Sequence, residues 1–174
     1  KVYYMSMVIF ERSIEPKIRN LLFKKRVILL FGPRQAGKTT LAKKIIADFG
    51  DSGEYFNCET AGVRKHFILG EPDALKTLVG DKHIVVFDEA QTIQNIGAIL
   101  KVFVDTYPDT QIIATGSSSF DLANKINEPL TGRSFEFILY PLSLDEIRKA
   151  KEVTRDDLHE YLRLGTYPAI VGES

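Results

Sequence analysis

Two short stretches of the chain carry residues whose types and order could do chemistry. In the first, Gly32-Pro33-Arg34-Gln35-Ala36-Gly37-Lys38-Thr39-Thr40 fits the pattern G-x-x-x-x-G-K-[ST] in full. Such a loop holds phosphate. Gly32 and Gly37 let the backbone curl around an anion with no Cβ in the way, and the helix start that follows supplies free N–H groups and the positive end of a dipole. Lys38 would reach the β- and γ-phosphates, and the Thr39 hydroxyl would coordinate Mg²⁺. The second stretch, Asp88-Glu89, ends an aliphatic run. Asp88 there would hold the same Mg²⁺, largely through water, opposite Thr39. Glu89 would polarise a water attacking the terminal phosphate.

These residues need a frame, and the hydrophobic pattern provides one. Val27-Ile28-Leu29-Leu30-Phe31 reads as a buried strand before the loop, and Leu41, Ile45, Ile46 and Phe49 mark the inner side of a helix after it. Further strands are expected at 54–57, 83–87, 111–115 and 135–139. A helix is expected from Ile14 to Phe23, and two short ones over 60–81, broken at Gly70-Glu71-Pro72. Ile93, Ile96, Ile99, Leu100, Phe103 and Val104 form a helical stripe, and another helix should carry Phe120, Leu122, Ala123 and Ile126. Ser143-Leu144-Asp145-Glu146 has capping-box spacing at a helix start, and a last helix spans 156–164. Strands alternating with helices predict an α/β fold, a parallel sheet with helices on both faces.

Other residues near the strand ends invite a role. The fourth strand ends in Thr115-Gly116-Ser117, and Ser117 or Thr115 would hydrogen-bond the γ-phosphate or the attacking water; ordinary turn chemistry is the alternative. Arg133, before the fifth strand, would stabilise charge on the transferring phosphate, or is a surface arginine after a glycine turn. Arg34 would touch phosphate or a neighbouring subunit. His66, His83 and His159 show no metal-ligand spacing, and Cys58, the only cysteine, reads as a small buried residue.

Bulk properties narrow the function classes. A chain of 174 residues suits one well-buried domain. Lys plus Arg equals Asp plus Glu, 23 against 23, so no basic field argues for a nucleic-acid partner. Apolar runs are too short for a membrane span. A single cysteine suits a reducing, cytoplasmic setting. Lys1 is no initiator and Met5 and Met7 both precede Ile9, so residues 1–8 read as an N-terminal extension or an artificial scar.

Taken together, Gly32 to Thr40, Asp88-Glu89-Ala90-Gln91, Ala114-Thr115-Gly116-Ser117-Ser118, Gly132-Arg133 and Tyr140-Pro141-Leu142-Ser143 resemble, in that order, the prokaryotic AAA+-type P-loop ATPase domain usually fused to a C-terminal domain of unknown function. The likeness covers roughly residues 9–170. It implies an ASCE/AAA+-like P-loop NTPase fold, a three-layer sandwich with a five-stranded parallel sheet in the order 5-1-4-3-2. Residues 9–142 would be the nucleotide-binding core and 143–174 the start of a helical lid, cut short of the partner domain. The resemblance implies ATP or ADP with Mg²⁺ as cofactors, Ser117 or Thr115 as a sensor-like residue, and Arg133 as an arginine finger. It also implies that Pro168, in a Gly-Thr-Tyr-Pro element where the family has Gly-Gly-Tyr-Pro, packs by the adenine. A homo-oligomer would be in keeping. The expected function is Mg²⁺-dependent ATP hydrolysis; the alternatives are a nucleotide-dependent switch with little turnover and, less favoured, a small-molecule kinase.

Overall fold

The computed structural model describes residues 10–117 and 129–173. Five strands, β1 (Val27–Gly32), β2 (Gly53–Asn57), β3 (Ile84–Asp88), β4 (Gln111–Ser117) and β5 (Ser134–Ile138), form one sheet in the order β2-β3-β4-β1-β5. All neighbours pair in parallel. This is the expected order, read from the other edge. Because β1, β3 and β4 are central, their side chains are buried on both faces, which is why their sequences are aliphatic runs rather than alternations.

The strand period of two divides that apolar content between two cores. Val27, Leu29 and Phe31 face one side, with Val85, Phe87, Ile112 and Ala114. There α4 (Pro72–Val79) contributes Leu75 and Val79, and α5 (Ile96–Thr106) contributes Ile99, Leu100 and Phe103. Ile28 and Leu30 face the other side with Ile84, Val86 and Ile113, covered by Ile18 of α1 (Glu15–Asn20) and by Leu41 and Ile45 of α2 (Lys38–Ala47). Each such side chain, fully buried, contributes about 1.5–3 kcal/mol. A third, smaller cluster joins Phe10 to Leu142, Ile147, Tyr161 and Val171. It gathers the C-terminal helices α6 (Leu144–Ala150), α7 (Arg155–Leu164) and α8 (Pro168–Glu173) around the start of the described chain.

Several local expectations change. The stripe beginning at Ile93 is not one helix: Ala90–Thr92 is a 3-10 turn, Ile93 is extended, and Asn95 is left-handed before α5 begins at Ile96. Ile93 reaches the core from an extended residue, which helical spacing imitates over so short a run. Before Gly70 only α3 (Ala61–Arg64) is helical, and Phe67 is buried from the turn after it. β4 runs two residues past its expected end, to Ser117. α8 was not expected; Pro168 at its first position has its φ preset for a helix start. The capping box at Ser143 and Glu146 is present, and Thr154 with Asp157 makes a second at the start of α7. The expected helix carrying Phe120, Leu122, Ala123 and Ile126 lies outside the described residues.

Candidate nucleotide site

Parallel pairing sets the C-terminal ends of four strands side by side. Gly32 of β1 is level with Ser117 of β4, and Asp88 closes β3 opposite Asn57 of β2. In an open α/β sheet this edge is where ligands bind. Gly32 is required there by close approach: a Cβ would overlap the carbonyl oxygen of Leu139. Gly37 is left-handed, with φ +95°, and turns the loop directly into α2, whose first residue is Lys38. The loop thus ends at a ten-residue helix with its first N–H groups aimed outward.

Lys38 is buried and folds back onto its own loop, Nζ donating to the carbonyls of Gly32 at 3.0 Å and Pro33 at 2.9 Å. Burial lowers its pKa and Arg34 adds to this, while the charges of Glu89 and Asp88 work the other way. Asp88 is the centre of the site. Its Oδ2 accepts from the Thr39 hydroxyl at 2.8 Å and from the Tyr55 phenol at 2.7 Å, and its Oδ1 accepts from the Thr115 hydroxyl. Thr115 in turn accepts from the backbone N–H of Glu89 at 3.2 Å. Glu89 is left-handed, with φ +53°, an uncommon conformation for a side chain of its kind, and Gln91 Nε2 donates to its Oε2. Cys58 lies behind; burial, then the charges of Asp88 and Glu89, push its thiol up to about 12, so it stays an inert thiol.

Above these groups opens a cavity of about 600 Å³. Arg34, Gln35, Gly37, Lys38, Thr39 and Thr40 line it from the loop side, and Glu89 from the end of β3. Pro168 and Ala169 of α8, Leu41 of α2 and Phe10 give it an apolar part, with Arg12 between. A volume of this order is ordinary for a small-molecule site. Ala36 lies beneath, fully buried, and its carbonyl accepts from Arg12 Nη1 at 2.7 Å. Arg12 is itself buried, bonded also to the Tyr140 carbonyl at 2.5 Å and, through Nε, to Glu146 of α6 at 3.3 Å.

The donor set at Thr39 and Asp88, a hydroxyl and a carboxylate in mutual contact, is the hard oxygen chemistry that suits Mg²⁺. Among the described residues there is no group of three or more His, Cys, Asp or Glu able to hold a metal. A cation here would therefore need oxygens from the bound ligand to complete its shell, as Mg²⁺ does with nucleotide phosphates.

The structure brings together the loop, Asp88, Glu89, Thr115 and Pro168, and sets Ser117 level with Gly32. It does not bring Arg133 to them. The Arg133 carbonyl accepts from the N–H of Val27, the first residue of β1, at 2.9 Å, so Arg133 sits at the far end of that strand from the loop. Six residues of strand put roughly 16–20 Å between them, and the guanidinium pairs with Asp105 at 2.8 and 3.1 Å. Within one chain, an arginine-finger role for Arg133 at this cavity is ruled out by distance. Sequence reading missed Arg12, Tyr55 and Gln91. Arg12, after Phe10-Glu11, and Tyr55, in a short strand, stand in no motif; Gln91 closes the Asp88-Glu89-Ala90-Gln91 stretch, where its contact with Glu89 was not read.

Comparison with known proteins agrees with this geometry. A family model described as an AAA domain matches residues 24–148. An uncharacterized protein of Mycobacterium tuberculosis is 31% identical over 169 residues, covering 97% of this chain and 36% of the relative. An uncharacterized protein of Methanocaldococcus jannaschii is 26% identical over 178 residues, covering 93% of this chain and 39% of the relative. The chain thus spans well under half the length of these curated relatives. Among solved structures, the Thermotoga maritima RuvB Holliday junction branch migration motor aligns with a TM-score of 0.54 at 17% identity, over 81% of this chain and 49% of that one. A chain from the structure of Drosophila ORC bound to DNA aligns with a TM-score of 0.52 at 12% identity, over 74% and 89%. At such identities the two structures share the fold and nothing more is carried over. The phosphate-type loop, the strand order and the match across residues 24–148 lead to one conclusion: the chain belongs to the AAA domain family, an AAA+-type P-loop ATPase domain.

Proposed function

We propose that this chain binds ATP with Mg²⁺ in the cavity above Lys38 and hydrolyses it, as a module of a longer protein. The observation that carries the proposal is the pairing of Thr39 with Asp88 while the next residue, Glu89, lines the cavity. A cation-holding pair and a carboxylate able to take a proton from water stand side by side. On nucleotide binding, Lys38 leaves the carbonyls of Gly32 and Pro33 for the phosphates, and the N–H groups of the loop and of the start of α2 hold their oxygens. Thr39 and Asp88 would hold a Mg²⁺ ion, which would supply charge neutralisation to the phosphate oxygens. Glu89 orients the attacking water and accepts its proton. Thr115 fixes Asp88 and the Glu89 backbone, while Ser117, level with Gly32, would reach toward the terminal phosphate. The apolar part beside Phe10, Leu41 and Pro168 takes the adenine.

The test is phosphate release with and without Mg²⁺. Glu89→Gln should bind ATP as the parent does but lower turnover about 100-fold or more. A variant that hydrolyses at the parent rate would remove Glu89 from the mechanism.

A second reading, a nucleotide-dependent switch with little turnover, is favoured by one observation. Arg12 bonds the Ala36 carbonyl of the loop and Glu146 of α6 together, so the loop's state is tied to the C-terminal helices. Slow release with nucleotide retained through purification would support it.

A further inference from the structure

We propose that Tyr55 is a positioning residue for the Asp88 carboxylate, through which the edge strand β2 sets the affinity of the site for its divalent cation. The inference rests on the Mg²⁺–nucleotide reading above.

The geometry is specific. Tyr55 pairs with Val86 across the two parallel strands, and Asp88 lies two residues further along β3, on the same face. This diagonal is within reach of a tyrosine, and the phenol donates to Oδ2 at 2.7 Å. The ring is held from its other side as well: Lys43 Nζ of α2 lies 4.0 Å from its centroid.

Three hydroxyls therefore meet one carboxylate: Thr39 and Tyr55 on Oδ2, Thr115 on Oδ1. Of the three only Thr39 lines the cavity, so its oxygen is the one that would turn a lone pair to a cation. Tyr55 and Thr115 are left to fix the carboxylate plane from its two oxygens, and Tyr55 directs the remaining lone pair of Oδ2 toward Thr39. Partners behind a ligand set metal affinity by fixing its orientation, and losing one commonly costs 10–100-fold.

Tyr55→Phe removes the donor and keeps the ring, its packing and the Lys43 contact. Binding of a fluorescent adenosine diphosphate is titrated at increasing Mg²⁺ for parent and variant, with thermal unfolding of both. The variant should need about tenfold more Mg²⁺ for half of the Mg²⁺-dependent tightening. Its affinity without Mg²⁺ should match the parent's. An unchanged Mg²⁺ midpoint overturns the assignment, as does a loss of affinity equal with and without Mg²⁺, which would mean a general loosening of the sheet edge. A parent that binds nucleotide with no response to Mg²⁺, or binds none, overturns instead the reading on which the assignment rests.

Discussion

Asp88 shows how much of this site is decided by hydrogen bonds to a single side chain. A buried carboxylate is costly unless its oxygens are satisfied, and here three hydroxyls donate to them. Lys38 solves the opposite problem. Its ammonium is desolvated by burial, and two loop carbonyls accept its hydrogen bonds. The two charges are each held by neutral groups rather than paired to each other. Gln91 adds a detail: its Oε1 is buried and has no hydrogen-bond partner among the described residues, while its amide nitrogen holds Glu89.

At the scale of elements, the junction between the loop and the C-terminal helices depends on the Arg12–Glu146 pair. Glu146 accepts from the Ser13 N–H at 2.7 Å, the Ser13 hydroxyl at 2.9 Å, Arg12 at 3.3 Å and the Ser143 N–H at 3.0 Å. Burial alone would raise its pKa, but the backbone N–H groups of Ser143 and Ser13 and the charge of Arg12 outweigh it, and the net shift is downward. A depressed carboxyl contributes stability that is fully present above its unfolded pKa, about 4.3, and is lost as pH falls through the folded value. Thermal unfolding across pH 7 to 3 should therefore show the parent losing an increment of stability below about pH 4.5 that Glu146→Gln lacks. At pH 7 the same variant should be roughly 2 kcal/mol less stable, since it leaves Arg12 buried without a counter-charge. Identical pH profiles would show that Glu146 does not hold this junction.

Much of the element scale was legible in the sequence because the central strands are buried on both faces. Residues 27–31 and the run before Asp88 cannot be amphipathic surface, and a glycine-bounded loop before a helix has few other uses. What was not legible depends on register and on long-range contact. The Tyr55–Asp88 bond exists because β2 pairs with β3 in one register, and the Arg12–Glu146 bond joins residues 134 apart in sequence. Arg133 differs: its place before a strand was readable, and in a parallel sheet that start lies at the end opposite the loop after β1, so the expected topology already set it apart from the cavity.

For the whole molecule, the distance of Arg133 from its own cavity gives a prediction about assembly. A finger role for Arg133, which pairs with Asp105 in its own chain, would have to be played at the site of a neighbouring copy. Turnover per chain should then rise with protein concentration for the parent, and Arg133→Ala should abolish that rise while leaving nucleotide affinity at low concentration unchanged. Turnover independent of concentration in both proteins would exclude it. The chain covers 36% to 41% of the curated relatives' length. No described helix is long and apolar enough to cross a membrane.

The most direct test of the central claim is equilibrium binding of Mg²⁺–ATP to the parent chain and to Lys38→Ala, followed on the same samples by phosphate release. The account predicts saturable binding and measurable release by the parent. For Lys38→Ala it predicts affinity weakened by at least about tenfold and no release, because the loop ammonium that would meet the phosphates is gone. Equal binding by the two proteins would contradict it, for then the cavity above Lys38 would not be where the phosphates are held.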